Sequence, residues 1–110
     1  MPGYYELKKT DADKYHFTLK SGNHQVILTS QHYKSRSSAE NGIESCRKNS
    51  GIDERFERKT GKNGQPFFSL KASNGQIIGS SEMYNTEAAR DKGIQSVKTN
   101  GQGPTKFKEQ

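Results

Sequence analysis

Hydrophobic and polar residues alternate along two short stretches near the start of the chain. Residues 5–8 (YELK) and residues 15–20 (YHFTLK) place an apolar side chain at every second position. This period of two predicts half-buried β-strands, because successive side chains of a strand point to opposite faces of the sheet. Residues 25–29, which follow a turn at residues 21–23, predict a third strand. The chain therefore opens with a predicted three-stranded meander.

The next segment changes to the period of a helix. Ala39, Ile43 and Cys46 lie at i, i+4 and i+7, so they share one face of a predicted helix. Ser37, followed three residues later by Glu40, predicts a capping box at the start of this helix. Residues 49–51 (NSG) tolerate the left-handed backbone that ends many helices.

Shifted by 51 positions, the chain matches itself without a gap. Residues 17–20 (FTLK) fall on residues 68–71 (FSLK), and residues 25–27 (QVI) fall on residues 76–78 (QII). Self-similarity at a fixed period indicates a duplicated supersecondary unit. We therefore predict two repeats, residues 1–51 and 52–110, that form a single compact domain.

The second repeat contains its own boundary signals. Residues 61–64 (GKNG) hold an Asn-Gly pair that favours a tight hairpin, in the place of residues 10–13. Thr86 is the predicted N-cap of the second helix. Residues 106–108 predict a short last strand, in the place that residues 55–59 take after the first helix.

The order and doubling of these motifs resemble the YegP-like family of small bacterial tandem-repeat proteins. The resemblance covers residues 4–109 and rests on six motifs: Phe17-Thr18-Leu19-Lys20, Phe68-Ser69-Leu70-Lys71, Tyr33, Tyr84, Gly42-Ile43 and Gly93-Ile94. It implies an α+β fold in which a β-β-β-α-β unit is used twice. The two units would form one antiparallel-rich sheet with two helices packed on one face. The resemblance implies no activity and carries over no catalytic residue.

Charge and composition limit the class of protein only loosely. The formal net charge is +6 and the pI is about 9.5, with a net +3 in each repeat and no basic tail. This basicity permits a polyanionic partner without requiring one. The single cysteine excludes an intramolecular disulfide, and no stretch is long and apolar enough to predict a membrane span or a secretory signal. We expect a cytoplasmic protein.

Few residues in the sequence suggest catalysis. His16, His24 and His32 are spaced by eight, but their counterparts in the second repeat are Phe67, Gly75 and Met83. We therefore expect surface histidines and no metal site, with an enzyme built by the first repeat alone as the alternative hypothesis. Cys46 aligns with Val97 and is interpreted as a core residue.

A glycine recurs in the middle of both predicted helices, at Gly42 and Gly93. Glycine at such a position costs about 1 kcal/mol relative to alanine. We expect a site where no Cβ fits, where the helix crosses a strand aromatic residue. A ligand that approaches the helix backbone is the alternative.

The strand pattern also predicts an outward-facing polar set that is doubled. It comprises Glu6, Lys8, His16, Thr18 and Lys20 in the first repeat, and Glu57, Lys59, Phe67, Ser69 and Lys71 in the second. One interpretation is cross-strand Glu–Lys pairs that keep an open sheet face soluble. The other is a binding face for single-stranded nucleic acid, with Lys8, Lys20, Lys59 and Lys71 contacting phosphates and Phe67 stacking on a base.

The sequence as a whole favours a small, non-enzymatic binding or interaction module. No catalytic residue, cofactor or metal ligand is predicted, and the partner is not identified by the sequence. Weak binding of single-stranded nucleic acid through the exposed sheet face is the alternative to a protein or small-molecule partner. Because duplication supplies both halves of a pseudo-twofold sheet, we expect a monomer.

Overall fold

The computed structural model describes residues 3–10 and 12–108 of the chain. The predicted turn at residues 10–13 includes Asp11, which lies outside the described residues. Seven strands and two helices follow one another in the order predicted from the repeat. They are β1 (Tyr4–Lys9), β2 (Tyr15–Lys20), β3 (Val26–Ser30), α1 (Arg36–Asn49), β4 (Phe56–Thr60), β5 (Pro66–Lys71), β6 (Ile77–Ser80), α2 (Glu87–Asn100) and β7 (Thr105–Lys108). A short 3₁₀ turn at Asp53–Arg55 precedes β4.

All seven strands belong to one sheet, in the order β4-β5-β6-β3-β2-β1-β7. Each repeat contributes an antiparallel meander, and the meanders meet at a short seam between β3 and β6. The seam pairs Thr29 with Ser80 and Ser30 with Gly79. Gly79 allows the two backbones to approach, since a Cβ at this position would lie 2.8 Å from the Thr29 carbonyl oxygen. The predicted α+β fold with a duplicated unit is confirmed.

The last strand is present, but its predicted place in the sheet is wrong. β7 lies outside β1 and runs parallel to it, with Phe107 opposite Leu7. By contrast, β4 pairs directly with β5, antiparallel. In the second repeat β4 occupies the outer position beside β5. The corresponding position beside β2 in the first repeat is occupied by β1, so β7 pairs with β1 instead.

Both helices pack on the same face of the sheet and cover strands of both repeats. α1 contacts β1 and β2 and also β5 and β6, whereas α2 contacts β5 and also β2 and β3. The core between the layers is formed mainly by the inward side chains of the strands and the apolar helix faces: Tyr5, Leu7, Phe17, Leu19, Ile27, Leu28, Phe56, Phe68, Leu70, Ile78, Ala39, Ile43, Cys46, Ile94 and Val97. No helix in the described part of the chain is long and apolar enough to cross a membrane.

The N-caps of the two helices lie at equivalent positions of the two repeats. Thr86 caps α2 as predicted, because its hydroxyl accepts a hydrogen bond from the Ala89 N–H at 3.0 Å. In α1 the cap is Ser35, whose hydroxyl accepts from the Ser38 N–H at 3.1 Å. The prediction of Ser37 was wrong by two residues. Ser35 is the residue that aligns with Thr86 at the shift of 51.

The helix glycines lie against aromatic rings, as predicted. A Cβ on Gly93 would come within 2.8 Å of the Tyr84 ring and 3.1 Å of the Phe68 ring. The two rings are themselves stacked, with centroids 6.3 Å apart and planes 11° from parallel. Gly42 has the same relation to Tyr33 and Phe17. Packing therefore explains why both helices omit a side chain at this point.

Cys46 also lies where the repeat alignment predicts. Its side chain is fully buried in the core and forms no disulfide. Burial raises the pKa of the Cys46 thiol to about 12. Since the thiolate is the nucleophilic form, a thiol that stays protonated at neutral pH is a poor nucleophile.

We predict that Gly93→Ala destabilises the protein by about 1–3 kcal/mol, because the added methyl group overpacks the contact with Tyr84 and Phe68. This effect is opposite to the gain of about 1 kcal/mol that alanine brings to an unconstrained helix position. Urea unfolding of the purified variant measures the change.

Gly51→Ala is the matched control, because a Cβ at Gly51 meets no atom within 4 Å. We expect the free energy of unfolding of this variant to stay within about 0.5 kcal/mol of the wild type. A Gly93→Ala protein that is more stable than the wild type would contradict the packing explanation.

Candidate binding face

The sheet face opposite the helices, here called the open face, carries a straight row of polar residues across six strands. Strand register places each member directly opposite the next. From β1 to β4 the row reads Glu6, Thr18, Thr29, Ser80, Ser69 and Glu57. The row is pseudo-symmetric about the seam, with hydroxyls in the middle and a carboxylate at each end. Because neighbouring strands are about 4.8 Å apart, the two carboxylates are separated by roughly 24 Å.

The first carboxylate lies between two lysines, in what we call the first Lys–Glu–Lys cluster. Glu6 Oε1 is 3.1 Å from Lys8 Nζ and 3.3 Å from Lys20 Nζ. Burial alone would raise the pKa of Glu6. Hydrogen bonds and charge from the two lysines outweigh it, so the pKa lies below its ordinary value. The cluster carries a net charge of one positive unit.

The second repeat builds the same arrangement at the other end of the row. Glu57 Oε1 is 3.1 Å from Lys59 Nζ, and Glu57 Oε2 is 3.5 Å from Lys71 Nζ. The hydrogen bond from Lys59 is the largest cause of a lowered pKa for Glu57, with a further contribution from Lys71. This is the second Lys–Glu–Lys cluster.

The two clusters differ in exposure, which corrects one expectation. Glu6 was expected on the exposed face, yet its side chain is only 2% exposed, compared with 42% for Glu57. The reason lies at the sheet edge, because β7 covers the outer side of β1 and β4 ends the sheet. Ser69 is also buried, at 1% exposure, and its hydroxyl is 2.8 Å from that of Ser80.

Phe67 lies beside the second cluster. Lys59 Nζ is 6.0 Å from the centre of the Phe67 ring, within the range of a cation–π contact. Met83, 48% exposed, lines a shallow apolar hollow together with Phe67. In the first repeat the equivalent positions hold His16 and His32, whose rings meet edge to face at 5.4 Å.

The structure therefore divides the predicted site residues between two places. Lys8 and Lys20 belong to the first cluster, Lys59 and Lys71 belong to the second, and Phe67 lies beside the second. All five lie on the open face. The strands β2 and β5 that carry part of each cluster are three strand spacings apart, which is roughly 14 Å.

A groove of about 420 Å³ runs over the seam between the two clusters. Val26, 37% exposed, and Ile77 form its apolar part. Strand register places Val26 opposite Lys20 and Ile77 opposite Lys71. The groove is not predicted from the sequence. Register shifts beside Lys20 and Lys71 direct Val26 and Ile77 to the open face, and the hydrophobic pattern does not reveal such shifts.

Two polar atoms on the open face are buried and make no hydrogen bond in the described structure. They are the hydroxyl oxygen of Thr18 and Nδ1 of His16. Burial is the main cause of a lowered pKa for His16, and His32 and Lys8 lower it further. Within residues 3–10 and 12–108, no three His, Cys, Asp or Glu side chains are grouped so as to hold a metal ion.

Comparison with known proteins accounts for the duplicated architecture. The sequence model of a domain of unknown function, DUF1508, matches this chain twice, at residues 11–57 and 62–107. The chain belongs to this family. The recognised resemblance to YegP-like proteins is confirmed by relatives that match almost the whole length.

A UPF0339 protein of Acinetobacter baylyi is 54% identical over 101 residues, which cover 92% of this chain and 91% of that protein. The UPF0339 protein YegP of Escherichia coli is 52% identical over 105 residues, or 96% of each chain. The solution NMR structure of Escherichia coli YegP, described as a protein of unknown function, matches with a TM-score of 0.93 over 99% of this chain and 95% of that one. These family members support the fold and indicate no specific activity.

Substitution of the two glutamates tests what the clusters contribute to stability. We predict that Glu6→Gln lowers the free energy of unfolding at pH 7 by about 1–2 kcal/mol, because charge-assisted hydrogen bonds are lost from a buried site. Glu57→Gln is the matched control in the second repeat, and we expect a smaller loss there because Glu57 is solvent-exposed.

The effect should depend on pH with a defined sign. The pKa of Glu6 in the folded protein lies below its ordinary value of 4.5. Its contribution is therefore complete above pH 4.5 and is lost as the pH falls through the folded value. Urea unfolding from pH 7 to pH 3 should bring the stability of Glu6→Gln and wild type together. A difference that stays constant over this range would contradict the role of the ionised carboxylate.

Proposed function

We propose that this protein is a non-enzymatic binding module and that the open face is its ligand-binding surface. The observation that carries the proposal is the presence of a Lys–Glu–Lys cluster at both ends of one polar row. A feature that both repeats retain serves either the shared fold or a shared function. In the second cluster the ion pairs of Glu57 lie near the surface, where such pairs contribute little to stability, so a function in binding is the better explanation for the presence of the cluster in both repeats.

The remaining polar side chains support binding better than catalysis. The buried Cys46 thiol is held protonated at neutral pH. His16 and His32 meet in the first repeat, but Phe67 and Met83 take their places in the second. An enzyme would therefore need a site built by one repeat only. A binding surface can use the doubled row directly, because an extended ligand contacts equivalent groups at both ends.

We further infer that the ligand is an extended single-stranded polyanion, with single-stranded nucleic acid as the class to test first. The four lysines and two glutamates of the clusters carry a net charge of two positive units. Phe67 offers a ring for stacking, and Val26 and Ile77 offer apolar contact between the clusters. Binding to single strands commonly combines a positive track for phosphates with such surfaces for the bases.

The dimensions of the row suit such a ligand. The clusters are separated by roughly 14 Å where they lie on β2 and β5, which an extended strand of a few nucleotides can span. The glutamates keep the affinity modest, because phosphate contacts must compete with existing Glu–Lys pairs. We place this activity in the cytoplasm and assign it to the monomer, in which both clusters belong to one sheet.

Titration of the isotope-labelled protein with a short single-stranded oligonucleotide tests this function. We predict amide shift changes at Lys8, Lys20, Lys59, Phe67 and Lys71 and across the seam. If two to four lysines contact phosphates, the slope of log K against log salt concentration should lie between roughly −1.4 and −3.

The double variant Lys20→Gln/Lys71→Gln should lower the affinity at least tenfold. Lys48→Gln/Lys92→Gln is the charge-matched control, because Lys48 and Lys92 are exposed residues of α1 and α2 on the helix side of the sheet. Flat spectra at low salt, or equal loss of affinity in both variants, would rule out the polyanion and direct the search to protein partners.

A further inference from the structure

The two repeats differ at their outer sheet edges. Strand β4 is the counterpart of β1 at the shift of 51, and both begin their repeats. The outer side of β1 is covered by β7, which pairs with it in parallel. Within residues 3–10 and 12–108, no strand pairs with the outer side of β4, which ends the sheet. Among the described residues, the outer edge of this strand is therefore paired in the first repeat and not paired in the second.

The backbone groups of β4 that face this open edge can be identified from its neighbours. Along an antiparallel strand, consecutive residues direct their N–H and C=O groups to opposite sides. The Phe68 carbonyl accepts a hydrogen bond from the Ser81 N–H at 2.9 Å, so Phe68 faces β6. Arg58, the partner of Phe68 in β4, therefore directs its N–H and C=O outward.

The same argument applies two residues further along the strand. Thr60 pairs with Pro66, whose carbonyl accepts from the Tyr84 N–H at 2.8 Å on the side away from β4. Thr60 therefore also points its backbone groups to the open edge. Arg58 and Thr60 offer two donors and two acceptors, spaced as an added strand requires.

We propose that the outer edge of β4 accepts an extended segment of a partner protein as an eighth, parallel strand. The template is the pairing of β7 with β1, in which Lys106 lies opposite Glu6 and Phe107 lies opposite Leu7. Strand addition of this kind takes its affinity from main-chain hydrogen bonds and its specificity from alternate side chains. This backbone edge differs from the lysines assigned above to the polyanion, although Glu57 belongs to both surfaces.

The side chains along β4 specify a basic residue followed by an aromatic residue. Glu57 replaces Glu6 and is far more exposed, so it favours a basic residue opposite, as Lys106 is opposite Glu6. Arg58 takes the place of Leu7 and offers a guanidinium on the helix side of the edge.

An aromatic ring opposite Arg58 would contact a guanidinium group, as the ring of Phe107 does in the first repeat. The Phe107 ring lies 3.9 Å from the guanidinium carbon of Arg36, a residue of α1. Glu87 stands in α2 at the position that Arg36 takes in α1. Arg58 provides a guanidinium from the strand, where its Nε lies 3.2 Å from Asp91 Oδ1, and arginine guanidinium groups stack on aromatic faces.

A second copy of this chain does not fit this edge. Its own β7 is held on β1 by Arg47, whose guanidinium donates to the Gly103 carbonyl at 2.9 and 3.2 Å and to the Thr105 hydroxyl at 2.8 Å. Antiparallel pairing of two β4 strands centred on Arg58 would place the two Arg58 side chains opposite each other, but it would also place Glu57 opposite Lys59. The net charge of +6 on each copy opposes the association of two copies. The occupant is therefore a segment of another protein.

A synthetic peptide with the sequence of residues 103–110, GPTKFKEQ, is the probe, because it carries the basic–aromatic pair of β7. We predict that adding it to the isotope-labelled protein shifts the amide signals of residues 56–60. A peptide in which the Lys and Phe of that pair are exchanged should bind at least fivefold more weakly, because both side chains then face the wrong sides.

Two substitutions at Arg58 distinguish the contribution of the backbone N–H to peptide affinity from that of the side chain. Arg58→Pro removes the outward N–H, and proline is tolerated where an edge strand presents its N–H to solvent. Arg58→Ala keeps this N–H and removes only the guanidinium. We predict at least a tenfold loss of peptide affinity for Arg58→Pro and a two- to fivefold loss for Arg58→Ala.

Thr60→Pro and Thr60→Val repeat the test if Arg58→Pro does not fold. Equal binding by the proline variant and its control would overturn the proposal. So would shifts confined to β1 and β7, no shifts at millimolar peptide, or a concentration-dependent dimer of the protein through residues 56–60.

Discussion

The short seam between β3 and β6 is the interaction on which the rest of the structure depends. Two meanders of three strands become one sheet only through the pairs Thr29–Ser80 and Ser30–Gly79. Once they are joined, each helix packs on strands of both repeats, and neither repeat has to bury its helix alone. Domains of about 50 residues bury a small fraction of their surface and are marginally stable by themselves, so the shared core adds to the stability of each half.

The seam also determines what the open face can present. Register across β3 and β6 aligns the hydroxyls of the first repeat with those of the second, and this alignment places a Lys–Glu–Lys cluster at each end. The pseudo-twofold arrangement would give an extended ligand one contact in each repeat. Outside this symmetry lie the edges: β7 covers β1, and within the described residues no strand covers the outer side of β4. The proposed binding face is thus present in both repeats, whereas the proposed site of strand addition belongs to the second repeat.

Much of this architecture could be predicted from the sequence, because most elements occur twice and the two copies can be compared. Period-two alternation locates β1, β2 and their copies, and the recurrence of a glycine in both helices predicts close packing against an aromatic ring. Ser35 was missed in favour of Ser37, although alignment with Thr86 marks it. The place of β7 could not be predicted, since it depends on β1 occupying the position beside β2. The burial of Glu6 follows from that order, and the groove at Val26 and Ile77 follows from bulges that sequence alternation does not record.

We infer that the two repeats form one cooperative unit joined at the seam. Native-state hydrogen exchange tests this cooperativity most directly, because it measures the opening free energy at each amide. We predict that Leu19 in β2 and Leu70 in β5, both fully buried, exchange with the same opening free energy, equal to that of global unfolding. Opening free energies that differ by more than about 1 kcal/mol between the repeats would show that one half unfolds while the other stays folded, and would contradict the claim.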